Sequence, residues 1–156
     1  MKVELAYDYA VLLKPKVLLA MLGLYLTTFF TSSIVSGDFS VDYFQFFIGF
    51  MAVALSVSGA NALNCVYDHD IDTLMTRTSG RPLVRGTISL PNASLFSWVT
   101  LGLSAILAVY LGVIPLMLLA EGAGSYLLLY TVIFKRKTSV NVLFTAPSVA
   151  APAWFG

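Results

Sequence analysis

Lysine and arginine occur in only three places along this chain, and long uncharged apolar runs separate them. The sets are Lys2, Lys14 and Lys16; Arg77, Arg81 and Arg85; and Lys135, Arg136 and Lys137. A helix needs about 20 mostly apolar residues to cross the hydrocarbon core of a bilayer. Val17 to Val35 meets that requirement without a charge, and Tyr43 to about Leu63 gives a second span rich in Phe (Phe44, Phe46, Phe47, Phe50). The uncharged run from Gly86 to Ala120 is too long for one crossing. Gly112 and Pro115 place a turn inside it. A third span then runs from about Pro91 to Leu111 and a fourth from Pro115 to Phe134. A fifth apolar stretch begins near Val140, contains Pro147 and Pro152, and reaches Gly156.

Composition agrees. Hydrophobic residues make up 58% of the chain and charged residues 11%, against about 25% charged in an average soluble domain. Such a chain cannot clothe a soluble globule, and it is too apolar to stay disordered. A single cysteine, Cys65, excludes an internal disulfide and a Cys-based zinc site. The first span is not expected to be a secretory signal: it is longer than a typical apolar h-region, and Glu4 and Asp8 precede it. The expected fold is therefore all-α, a polytopic transmembrane helix bundle with four complete spans and an incomplete fifth. Residues 1–156 are expected to form a single membrane domain. With four crossings the three basic sets fall on one side, while the opposite loops carry only Asp38 and Asp42 or no charge. The positive-inside rule puts that side, with the N-terminus, in the cytoplasm of a multi-pass protein of the cell membrane.

The chemistry-bearing segment is Asn64-Cys65-Val66-Tyr67-Asp68-His69-Asp70-Ile71-Asp72, at the cytoplasmic end of the second span. On a helix, a step of four residues advances about 40° around the axis and about 6 Å along it. Asn64, Asp68 and Asp72 thus form one polar stripe, and Asp70 points elsewhere. Carboxylates at i and i+4 repel unless a cation compensates them. Magnesium suits Asp68 and Asp72, because it takes oxygen ligands, keeps waters and bridges carboxylates to substrate phosphates. The competing reading is solvated acids balanced by nearby arginines. Arg77, Arg81 and Arg85 follow in a loop shaped by Pro82, which disfavours helix at Arg81. Arginine forks match phosphate oxygens, although Arg85 reads more simply as an anchor of the cytoplasmic face. Tyr130, Lys135 and Arg136 close the fourth span on the same side. Two basic sets around a candidate metal site suggest a diphosphate, and an apolar body beside them suggests a lipid tail.

Asn64-x-x-x-Asp68-x-x-x-Asp72 resembles the first aspartate-rich motif of the UbiA superfamily of intramembrane prenyltransferases. The longer string Asp68-His69-Asp70-Ile71-Asp72-Thr73-Leu74-Met75-Thr76-Arg77-Thr78-x-x-Arg81-Pro82-Leu83 is similar to that of the protoheme IX farnesyltransferase branch. So are Lys14-Pro15-Lys16-Val17 and Tyr130-Thr131-x-x-x-Lys135-Arg136-Lys137-Thr138. The resemblance implies helices around a central cavity with a cytoplasmic mouth. It implies transfer of a farnesyl group from farnesyl diphosphate to the vinyl group of haem B, with water adding, to give haem O. In that reading Asn64, Asp68 and Asp72 hold the diphosphate through Mg2+, and Arg77, Arg81, Lys135 and Arg136, with Tyr130, meet the leaving diphosphate. The bilayer is the medium, and no nucleic-acid partner is expected.

Two features depart from the resembled pattern. His69 stands where the family usually has Arg; a solvated or Asp-paired histidine is a simpler reading than a haem ligand. The superfamily also carries a second acidic cluster, and after Asp72 the only acid is Glu121. The chain thus resembles the first half of such an enzyme, and alone it is expected not to catalyse prenyl transfer. Glu121 lies about 9 Å inside its span by helical rise; it is a functional candidate or a structural acid hydrogen-bonded to a neighbouring Ser or Thr. Cys65 reads as a packing residue, the Phe-rich stretch as lipid-facing, and Ser56, Ser58, Gly59 and Ala60 as a site of close helix approach. The aspartates alone fit equally a UbiA-type enzyme acting on a quinone precursor or lipid alcohol. A non-catalytic cation-binding membrane subunit is the alternative outside enzymes.

Overall fold

A computed structural model describes residues 2–37, 42–134 and 145–155. Four of its helices are long and apolar enough to cross a membrane. They are α2 (Pro15–Ser36), α3 (Tyr43–Tyr67), α6 (Leu90–Leu111) and a fourth formed by α7 (Val113–Gly124) running into a π-helical stretch (Ser125–Phe134). The remaining helices are α1 (Lys2–Leu12), α4 (His69–Leu74), α5 (Pro82–Arg85) and α8 (Ala146–Phe155), with a 3₁₀ turn at Thr76–Thr78. No strand occurs among the described residues. The protein is an all-α, multi-pass transmembrane bundle.

Local chemistry sets the boundaries. Asp42 caps α3, its carboxylate accepting from the Phe44 and Gln45 amides at 3.0 and 3.1 Å, which satisfies two of the orphan donors at a helix start. Ser89 and Pro91 open α6 in the same manner. The turn expected between the third and fourth spans falls at Gly112, whose φ of 129° lies where side-chain-bearing residues are rarely found. Two elements were not foreseen. A helix, α1, precedes the first span, and the C-terminal half of the fourth span is π-helical rather than α-helical. Of the fifth stretch, α8 covers Ala146–Phe155 with Pro152 inside it; its start near Val140 lies outside the described residues.

α3 is the central helix. It packs most extensively on α6, and its face from Ser56 to Cys65 is almost entirely buried. Ser56, Ser58, Gly59 and Ala60 are all within that face, and a Cβ built on Gly59 would stand 2.7 Å from Leu101 Cγ and 3.0 Å from the Ser97 carbonyl. Only a small residue permits that approach. The Phe-rich stretch divides by face: Phe44 and Phe47 are exposed, whereas Phe46 and Phe50 join Tyr25, Phe29 and Phe155 in an aromatic core. Tyr25 is 2% exposed, and its hydroxyl donates to the Phe46 carbonyl at 3.0 Å. Almost none of the first span, by contrast, is buried within the chain.

α1 joins α2 through Lys14, the one non-glycine with positive φ among the described residues (φ 51°, ψ 71°). That conformation costs an L-residue about 1–2 kcal/mol. The break is held by tertiary contacts: the Asn61 amide donates to the Leu13 carbonyl at 3.1 Å, and α1 is tied to α5 by an ion pair between Asp8 and Arg85 at 2.6 Å.

Candidate active site

Asn64, Asp68 and Asp72 share one buried stripe. They are 1%, 4% and 6% exposed, while Asp70 is exposed. α3 ends at Tyr67, yet the backbone bonds continue across the junction: Asp68 N donates to Asn64 O at 3.0 Å and Asp72 N to Asp68 O at 2.9 Å. The i,i+4 geometry read from the sequence therefore survives a change of helix.

The loop after α4 returns a cation to this stripe. Arg81 is extended (φ −68°, ψ 143°), as the following proline requires, and Pro82 starts α5. The Arg81 guanidinium forms an ion pair with the Asp72 carboxylate. Thr78 reinforces the turn, its hydroxyl donating to the Asp72 carbonyl at 2.7 Å. Arg85 turns away from the stripe to Asp8. Arg77 is exposed in the 3₁₀ turn and makes no ion pair among the described residues. Lys135 and Arg136 lie outside the described residues. Tyr130 stacks on Tyr126, with ring centroids 5.5 Å apart and planes 15° apart.

A set of residues not assigned a role from the sequence completes the site. The Lys14 ammonium donates to Asn64 Oδ1 at 2.6 Å and to the Tyr126 hydroxyl at 3.3 Å. On its other side the Asn64 amide donates to Thr131 Oγ1 at 3.0 Å, and Thr131 donates to the Tyr126 carbonyl at 3.0 Å. The last bond spans five residues, and the π-helical winding puts Tyr126 and Thr131 on one face. The family resemblance touched this set at Thr131, beside Tyr130, and, without joining the two, at Lys14. The partners of Lys14 lie 50 and 112 residues away.

Two cavities meet at this network. One, of about 220 Å³, is lined by Lys14, Cys65, Asp72 and Arg81 with Leu12 and Leu83. The other, of about 100 Å³, is largely apolar and lies between α2, α3, the fourth span and α8; Val17, Met21, Val57, Asn61, Tyr126 and Ala151 are among its walls. Lys14 belongs to the first cavity, and its partner Tyr126 to the second.

Among the described residues no three His, Cys, Asp or Glu side chains converge on a metal position. The donor set is thus two buried carboxylates and a carboxamide. It suits a hard cation that keeps waters and takes its other oxygens from a phosphate, and it does not form an all-protein cage. His69 Nδ1 is buried without a hydrogen-bond partner among the described residues. Glu121 is exposed on α7. Among the described residues it makes no side-chain hydrogen bond to a Ser or Thr.

A profile of the UbiA prenyltransferase family matches residues 18–156. The chain belongs to the UbiA prenyltransferase family. Within this UbiA family it is similar to curated proteins named protoheme IX farnesyltransferase. One from Bartonella henselae is 33% identical over 151 residues, covering 96% of this chain and 47% of that protein. One from Maricaulis maris is 34% identical over 150 residues, covering 96% and 44%. One from Aquifex aeolicus is 38% identical over 108 residues, covering 68% and 37%. The chain spans about half the length of the first of these UbiA relatives. A solved structure from work on digeranylgeranylglyceryl phosphate synthase in membranes superposes with a TM-score of 0.85 at 22% identity, covering 97% of this chain and 52% of that one. That likeness establishes the UbiA fold.

Proposed function

We propose that the protein, expressed as its complete open reading frame, transfers a farnesyl group from farnesyl diphosphate to a vinyl group of haem B; diphosphate leaves, and water adds to the carbocation formed on the vinyl side chain, with loss of a proton, to give haem O. The observation that carries the reading is the buried Asn64-Asp68-Asp72 stripe with Arg81 folded back onto it, beside an apolar cavity. The names of the relatives support haem as acceptor, and the family supports the prenyl donor.

Breaking the allylic C–O bond leaves positive charge on the prenyl carbon and negative charge on the departing diphosphate. Fixed cations placed where that negative charge grows lower the barrier. Arg81 sits at the stripe for this role, and Arg77 stands exposed on the same loop. Lys135 and Arg136 follow the fourth span on the same side, and Tyr130 ends that span beside Tyr126. Mg2+ held by Asp68 and Asp72 would supply further charge neutralisation to the diphosphate oxygens. Asn64 shapes the inner end of the stripe through its fixed amide. The apolar walls from Val17 to Ala151 would receive the first part of the prenyl chain and keep water from the cation. The segregated basic residues support a cytoplasmic position for this site and the N-terminus, with the protein in the cell membrane.

The test is product formation by membranes containing the complete open reading frame, supplied with farnesyl diphosphate, haem B and Mg2+. Haem O is the expected product. Prenylation of a quinone precursor with no haem product would replace the acceptor in this reading, and an absence of any prenyl product would reject it.

A further inference from the structure

Before Asn64 can join the two carboxylates in holding a metal-bound diphosphate, its one side-chain oxygen must give up a cation it already accepts from. The Lys14 ammonium lies 2.6 Å from Asn64 Oδ1, and the amide is held in that orientation because its nitrogen donates to buried Thr131. An ammonium and a divalent cation sharing one carboxamide oxygen repel strongly at the low effective dielectric of such a site. Lys14 also has an alternative place to go. It is half-buried, it lines the same cavity as Asp72 and Arg81, and its stem is long and flexible. Its backbone is held in the left-handed region at a helix break, where the Asn61–Leu13 bond fixes the start of that stem.

Resting on the reading above, we propose that Lys14 is a movable leaving-group cation. In the resting site it occupies Asn64 and Tyr126 and keeps a bare divalent ion out of the stripe. When a diphosphate arrives with its metal, the ammonium leaves Asn64 for the phosphate oxygens in the adjoining cavity. Lys14 then discriminates between the metal alone and the metal with its diphosphate, raising affinity only for the second. The interaction with diphosphate is ionic; no bond to Lys14 forms or breaks.

The discriminating prediction is one of opposite signs. Binding of Mn2+ to the complete protein in detergent is followed by the loss of the free-ion EPR signal, with and without inorganic pyrophosphate. Lys14→Met is expected to tighten Mn2+ alone by about tenfold, the effect of removing one positive charge several ångströms from a divalent ion even with strong solvent screening. The same variant is expected to weaken Mn2+-dependent pyrophosphate binding by about tenfold or more. Lys14→Gln, which keeps a polar group and loses the charge, should follow Lys14→Met, and Lys14→Arg should stay within about threefold of the parent in both measurements. A damaged fold would weaken both. Affinities that fall together, or neither changing, would overturn the role of Lys14. Asp68→Asn separates the two levels of the argument: if it retains full Mn2+-dependent pyrophosphate affinity, the stripe is not the diphosphate site, and the role of Lys14 falls with it. If Asp68→Asn loses binding and the Lys14 variants fail to diverge, only the movable cation is rejected.

Discussion

Gly59 is where packing and site are joined most tightly, because α3 carries both the Gly59 contact and the Asn64 stripe. A methyl added there would meet Leu101 Cγ at 2.7 Å, the Ser97 carbonyl at 3.0 Å and the Leu101 amide nitrogen at 3.1 Å. Two of those three atoms are backbone, so a rotamer change cannot relieve the clash, and α3 and α6 must separate. Gly102, on α6, offers a matched control: nothing lies within 4 Å of its added methyl. Both Gly→Ala changes gain the same helix propensity, about 1 kcal/mol. Their difference therefore reads the overpacking alone, about 1–3 kcal/mol. Unfolding of the two variants by SDS titration in mixed micelles should show Gly59→Ala less stable than Gly102→Ala by that amount. Equal stabilities would refute the close α3–α6 contact.

Other consequences are more local. A cysteine at Ser79 should resist a membrane-impermeant thiol reagent applied to intact cells, whereas one at Ser40 should react; labelling of position 79 from outside would reverse the orientation, and the sole native thiol, Cys65, is buried and gives little background. Thr131→Val removes the acceptor for the Asn64 amide and should cost about 1–3 kcal/mol, with Thr131→Ser restoring most of it; unchanged stability of the valine variant in the same micelle titration would contradict the Asn64–Thr131 bond. Arg85→Ala strands buried Asp8 and should cost about 1–2 kcal/mol, the partner's exposure reducing the loss, and a double-mutant cycle with Asp8→Asn should return a coupling of the same sign.

The spans were legible because bilayer chemistry acts on composition. Charge is confined to loops, so Val17–Val35 and Tyr43–Leu63 could be delimited by inspection, and Gly112 could be placed between two spans. The Asn64-Asp68-Asp72 stripe was legible because helical spacing is a local property, and it survived even the break after Tyr67. The Lys14 network was not legible. It joins residues far apart in sequence and depends on a π-helical winding that no local pattern announces. The turn of Arg81 back onto Asp72 was only half visible: Pro82 implied the bend, but not its target. α1 escaped because it is too short to span and was hidden among the residues leading into Pro15. Lys135 and Arg136 belong to the proposed site by topology and family resemblance alone.

The central claim is that Asp68 and Asp72 hold a diphosphate with the help of a divalent ion. It is tested most directly by isothermal titration of farnesyl thiolodiphosphate, a slowly ionising analogue, into the complete protein with and without Mg2+. The account predicts Mg2+-dependent binding in the parent that is lost in Asp68→Asn and in Asp72→Asn. Full Mg2+-dependent affinity in both variants would show that the stripe is structural and would contradict the proposed mechanism.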